Sequence, residues 1–133
     1  MRIVLDSSVL IAAHITRAGV CAELLEDVLM QHQLVTSQHI LDELARKLTE
    51  KFDFPSAAVR NVVKFIGRNA TKVEPAEIPQ NVCRDPEDLP ILGTAVAAKA
   101  SLLITVDKDL LVIGEFQGIA IVKPGEFWRR ACG

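Results

Sequence analysis

Residues 2–6, RIVLD, form an apolar β-prone run closed by an acid, and residues 101–107, SLLITVD, repeat that form in the second half of the chain. A short unbroken Val/Ile/Leu run predicts a strand buried on both faces, which belongs in a mainly parallel sheet covered by helices. Open α/β sheets bind ligands just outside the carboxyl ends of their strands. Asp6 and Asp107 therefore stand where such a fold does its chemistry.

Working outward, Leu24, Leu25, Val28 and Leu29 recur at helical spacing between Cys21 and His32, with Glu23, Glu26 and Asp27 on the other face. QLVTS (33–37) is a brief β-prone piece in which Thr36 or Ser37 can cap the next helix. That helix is expected from about Gln38 to Glu50, with Ile40, Leu41, Leu44, Ala45 and Leu48 as its apolar stripe. Pro55 opens a third helix that should stop near Gly67. Residues 71–87 hold three prolines and predict a connection with at most one short strand. A small-residue-rich helix follows from Leu89 to Ala100, then the SLLIT strand, a helical turn near 108–113, a strand IAIV (119–122) and a terminal helix from Pro124. Phe127 and Trp128 are expected to pack that last helix. The alternation predicts an α/β fold, a three-layer α/β/α sandwich with a mainly parallel central sheet.

With 133 residues the chain suits a single domain over 1–133. Its mean hydropathy is +0.27, yet no stretch approaches the roughly 20 uninterrupted apolar residues of a membrane span, so no membrane partner is expected. Met1-Arg2 runs directly into the first strand without the pattern of a signal peptide, which points to the cytoplasm. Cys21, Cys83 and Cys132 lie far apart and in no CxxC pair, and read as reduced thiols. His14, His32 and His39 lack metal-ligand spacing and read as surface or edge histidines. Fifteen Lys plus Arg against 17 Asp plus Glu give a net charge of −2, so binding to a polyanion needs a local basic patch.

Each acid of interest has an ordinary explanation beside the chemical one. Asp6 can simply cap the segment after it, Asp88 can cap the helix it precedes, and Asp107 can serve in capping or turn formation together with Asp109. Glu43 with Lys47, and Asp42 with Arg46, are i,i+4 pairs of the kind that stabilise a solvated helix face. The joint pattern points elsewhere, because two strand-end acids and acids on two helices can converge on one pocket. Carboxylates so gathered either take up protons or bind hard cations, and oxygen ligation without Cys or His suits Mg²⁺ or Mn²⁺.

In these features the chain resembles the PIN-domain ribonucleases, in particular the VapC-like toxins of toxin–antitoxin modules. The resemblance is carried by RIVLDSSVL (2–10), TSQHILDELARKL (36–48), RDPEDLPILGTAVAAKASLLITVDKDLL (84–111) and VKPGEFW (122–128). It implies a metal-dependent endoribonuclease in which Asp6, Glu43, Asp88 and Asp107 hold Mg²⁺ or Mn²⁺ and water attacks the phosphodiester, leaving a 5′-phosphate. Ser8 stands where the family usually has Asn, and Asp85, Thr105 and Asp109 are supporting residues on the same resemblance. Arg46, Lys47, Lys51, Arg84 and Lys108 adjoin the acids in sequence and are the candidate RNA contacts. A small antitoxin and a homodimer are the implied protein partners. The alternatives are a PIN-fold binding module that has lost catalysis and a phospho-accepting receiver domain, the latter suggested by Lys123-Pro124 but lacking an acid after the LVTS strand.

Overall fold

In the computed structural model, which describes residues 1–16 and 19–132, Arg2–Leu5 (β1) lies at the centre of the sheet. β1 pairs in parallel with Gln33–Thr36 (β2) on one side and with Leu102–Ile104 (β4) on the other, so that Val4 lies between Val35 and Leu103. Thr71–Lys72 (β3) extends the sheet beyond β2, and Ile119–Val122 (β6) extends it beyond β4. The antiparallel edge strand Glu115–Phe116 (β5) completes the order β3-β2-β1-β4-β6-β5. The expected mainly parallel α/β sheet is therefore present. Ile3, Val4 and Leu5 are all buried, as are Leu102, Leu103 and Ile104. Since successive strand residues face opposite ways, helices must cover both faces.

Between β1 and β2 run Ser7–Ile15 (α1) and Val20–Gln31 (α2); between β2 and β3 run Gln38–Glu50 (α3) and Ser56–Asn69 (α4). Leu89–Ala98 (α5), Lys108–Leu111 (α6) and Phe127–Cys132 (α7) follow, with 3-10 turns at Pro86–Asp88 and Pro124–Glu126. Sequence periodicity does not reveal α1, because SSVLIAAHI is apolar nearly all round and its core-facing Val9, Leu10 and Ile11 are consecutive. The sequence signal for it is an Asp suited to an N-cap ahead of an apolar stretch, a weaker cue than an amphipathic stripe. β5 is also missed, as two residues carry no period.

α4 runs past Gly67 to Asn69, where the Asn69 amide donates to the Phe65 carbonyl at 2.8 Å. Gly67 stays out of the left-handed region and a Cβ there would meet nothing within 4 Å, so it is a tolerated interior glycine rather than a terminator. α5 stops two residues earlier than expected because Lys99 adopts the left-handed conformation, φ 52°, and returns its N–H to the helix carbonyls. Phe127 is buried and the Trp128 indole donates to Asp27 at 2.6 Å, so both aromatics bind the terminal helix to the body as expected. Cys21 and Cys83 are free thiols; the Cys132 side chain lies outside the described residues. Among the described residues, no single helix is long and apolar enough to cross a membrane.

Candidate functional site

The sheet order places a switch point at β1, since the chain moves outward through β2 and β3 and then returns to add β4 on the opposite flank. Asp6 follows β1 and Asp107 lies three residues beyond β4, so both stand at the carboxyl edge where the two halves diverge. The Asp6 N–H donates to the Ile104 carbonyl at 3.0 Å, which fixes the two strand ends together. The Thr105 hydroxyl donates to Asp6 Oδ2 at 2.7 Å, and the Ser8 hydroxyl reaches the same oxygen at 3.3 Å.

Asp6, Glu43, Asp88 and Asp107 line one cavity of about 350 Å³, to which Ser8 and Asp85 also contribute. Glu43 arrives on α3, whose start is fixed by Ser37: its Oγ accepts from the Ile40 N–H at 3.4 Å and lies 2.8 Å from Thr94 Oγ1 on α5. Asp88 ends the 3-10 turn before α5, a turn opened by Asp85, whose carboxylate accepts from the Glu87 N–H at 3.0 Å. Asp109 lies outside the cavity lining, but its carboxylate is within 4.8 Å of those of Asp88 and Asp107.

The ordinary explanations divide. Neither Asp6 nor Asp88 makes a side-chain cap bond to the helix that follows it, so capping does not account for them. Asp107 does cap, accepting from the Asp109 N–H at 2.9 Å. Glu43 is not on a solvated face, being only 8 % exposed. Its pair with Lys47 exists at 3.1 Å, but the expected Asp42–Arg46 pair does not: Arg46 turns to Glu50 at 3.6 Å and Asp42 accepts from Gln38.

Burial sets the electrostatics. Asp6 and Asp88 are 3 % and 4 % exposed, and desolvation pushes both carboxyl pKa values up. For Asp6 the Thr105 hydrogen bond opposes the rise and the Glu43 charge adds to it. Asp88 is driven to about 8, first by burial and then by Asp107, Asp85 and Asp6. Glu43 goes the other way. Burial opposes its ionisation, but the Ser7 hydroxyl, the Lys47 ammonium and His39 outweigh that cost and hold it below the usual range. Ser7 donates to Glu43 Oε1, the oxygen that Lys47 also contacts.

Asp6 Oδ1 and Asp88 Oδ2 are buried with no hydrogen-bond partner among the described residues. Unpaired carboxylate oxygens in a crowd of acids fit a divalent cation, which would remove the desolvation and repulsion costs together. An oxygen-rich set suits Mg²⁺ or Mn²⁺. Of the cations read from the sequence, Arg46 and Lys47 line the cavity together with Lys51, whereas Arg84 and Lys108 are exposed and take no part in the lining. Ser7, His39 and Glu87 were not singled out by sequence. The i,i+4 spacing of His39 and Glu43 was the available signal for one of them.

Compared by sequence with curated proteins, the chain has no significant match. Among solved structures it is similar to VapBC2 from Rickettsia felis bound to a DNA fragment from their promoter, with a TM-score of 0.67 and 13 % identity over 92 % of this chain and 98 % of that one. It is similar also to VapBC-1 from nontypeable Haemophilus influenzae, TM-score 0.64 and 17 % identity over 94 % and 99 %. PAE2754 from Pyrobaculum aerophilum gives 0.66 and 15 % over 99 % and 90 %. At these identities the likeness shows the shared fold. The family pattern described as PIN domain matches residues 2–109, which takes in β1 through the start of α6 and all six acids that line the cavity. Sheet order, strand-end acids and family pattern agree, and this chain belongs to the PIN domain family.

Proposed function

We propose that this protein is a metal-dependent endoribonuclease that hydrolyses RNA phosphodiester bonds, and that it is the toxin of a toxin–antitoxin pair acting in the cytoplasm. One observation carries the reading: acids from four separate elements meet in one cavity and leave two buried carboxylate oxygens unpaired. Asp6, Glu43, Asp88 and Asp107 are the residues that would hold Mg²⁺ or Mn²⁺. When bound, such an ion activates water and offsets the charge that grows on a phosphodiester during in-line attack.

The chain's own groups do the rest. Thr105 and Ser8 orient Asp6, so the hydroxyl at the position of the family's usual Asn still reaches the carboxylate. Lys47 and Ser7 keep Glu43 ionised. Lys47, Lys51 and Arg46 supply positive charge on the cavity wall for backbone phosphates, which offsets the acidic balance of the chain locally. Phe52, 46 % exposed, sits with Ser8, Lys47 and Lys51 around an adjoining cleft and offers a face on which a base can stack. A small antitoxin occupying the cavity is supported by the VapBC neighbours, and a homodimer by exposed apolar side chains such as Met30 on α2 and Phe65 on α4.

The test is cleavage of a single-stranded RNA by the purified protein with Mn²⁺ or Mg²⁺. Cleavage should stop on adding EDTA and fall by at least about 100-fold in Asp6→Asn, a cost in keeping with loss of one electrostatic group at a reacting centre. Cleavage indifferent to both would overturn the reading. A protein that binds no divalent ion and cuts nothing would instead be a PIN-fold binding module. Family membership removes the receiver alternative.

A further inference from the structure

Two phenylalanines flank Asp53 just beyond α3, and the fold uses them differently. Phe54 packs on the core, and its N–H returns to the Leu48 carbonyl at 3.0 Å. Asp53 takes the left-handed conformation, φ 53°, which ends the helical path of the chain. Phe52 is 46 % exposed and stands outside the core. The exit from α3 is therefore fixed without it, while its ring stays open to solvent.

A single exposed aromatic is ordinary. The surroundings of this one are not. Phe52 and Ile11 of α1 are the apolar members of a cleft of about 190 Å³, whose other members are Ser8, Lys47 and Lys51. That volume is below the roughly 300–1,000 Å³ of a site that encloses a small molecule, and suits one flat ring system. Ser8, Lys47 and Lys51 also line the acid cavity, so cleft and cavity share a wall. Lys47 is engaged by Glu43 and Ser7, whereas Lys51 makes no ion pair among the described residues.

A nucleotide matches this row of groups, with a base for the Phe52 face and an anion for the lysines. An ammonium offers donors and no acceptor, so it meets best a base edge built from acceptors. Guanine presents O6 and N7 together and has the larger purine face; uracil presents one acceptor, and adenine and cytosine present an amino group. We propose that Phe52 and Lys51 form a base subsite beside the reacting phosphate, selecting guanine at one fixed position next to the cut. This rests on the ribonuclease reading and deepens it by naming what the enzyme recognises in its RNA.

The experiment cleaves a long single-stranded RNA of random sequence with the full chain and Mn²⁺, and sequences the fragment ends. Guanine should be enriched at one position beside the cut, a preference flattened in Phe52→Ala and retained in Phe52→Trp. On an oligonucleotide carrying the mapped site, Phe52→Ala should raise KM roughly 5- to 100-fold, the worth of one stacked base, with kcat changed less than about threefold. With an abasic residue at that position, the same substitution should change KM less than about twofold, since base and ring act as a pair. Cuts without guanine enrichment in the unaltered protein would overturn the proposal, as would enrichment that survives Phe52→Ala. If the profile survives and Phe52→Ala sediments as a smaller species, the face belongs to a second copy of the chain and not to RNA. Cleavage that stays sensitive to EDTA and Asp6→Asn in those cases leaves the nuclease reading standing, and this inference alone fails. If nothing is cut, both fail.

Discussion

At the scale of single residues, two carboxyl groups in one cavity are driven in opposite directions by their neighbours. Glu43 is buried but held by the Ser7 hydroxyl and the Lys47 ammonium, so it stays ionised. Asp88 is buried among other acids, so the folded protein has to supply it with a proton. That uptake costs stability at neutral pH, because the unfolded chain would release the proton. Asp88→Asn removes the need for it. The metal-free variant should be about 1–3 kcal/mol more stable than the parent at pH 7 in urea unfolding, and the advantage should shrink as pH falls and vanish below the ordinary carboxyl value of 3.8, where the parent's Asp88 is protonated in either state. The same variant should gain much less melting temperature from added Mn²⁺. An equal or lower stability at pH 7 would mean that Asp88 bears no such cost.

At the scale of elements, the site depends on how closely α5 is approached by the proline-containing connection before it. The Ala76 N–H donates to the Gly93 carbonyl at 2.9 Å, and a Cβ at Gly93 would collide with the Ala76 carbonyl oxygen. Gly93 is thus required by a backbone contact rather than by its own conformation. Gly93→Ala should destabilise the protein by about 2–4 kcal/mol in urea unfolding, through displacement of a well-packed segment. Because that segment leads into the turn that presents Asp88 and Glu87, the variant should also weaken Mn²⁺ binding. Unchanged stability would show that the connection moves aside without cost. α3 is fixed from the other side, where Ser37 meets both the Ile40 N–H and Thr94 of α5, and this sets the rotation that points Glu43 inward.

For the whole molecule, the fold holds acids together at the switch point of the sheet at a cost that a cation relieves. The raised pKa values of Asp6 and Asp88 give the sign of the pH dependence. Their contribution to stability is fully present below the ordinary carboxyl value of 3.8 and is lost as pH rises, through about 8 for Asp88. Glu43, held below its usual range, has the opposite sign, and its contribution is lost only in acid. The metal-free protein should therefore melt at progressively lower temperature from about pH 5 to pH 8, and millimolar Mn²⁺ should reverse the trend at the alkaline end. Scanning calorimetry with and without the ion checks this. A melting temperature that rises with pH in the absence of metal would contradict it.

The sequence by itself determined most of the strands, most of the helices and the positions of Asp6 and Asp107. Those features are written in local periodicity: RIVL and SLLIT are unbroken apolar runs, and the Gln38–Glu50 stripe is a clear 3.6-residue repeat. It did not reveal α1, whose apolar residues lack a polar face, or β5, which is too short to have a period. Local pattern also undervalued Glu43 and His39, since an i,i+4 pair looks alike on a solvated face and in a buried one. Tertiary structure decided between those cases by packing α3 against α1 and α5, which excludes water from the Glu43 carboxylate. It likewise separated Asp107, which caps a helix, from Asp6 and Asp88, which leave oxygens unpaired. Burial and hydrogen-bond partnership are set by residues far away in sequence, and only the folded chain brings those together.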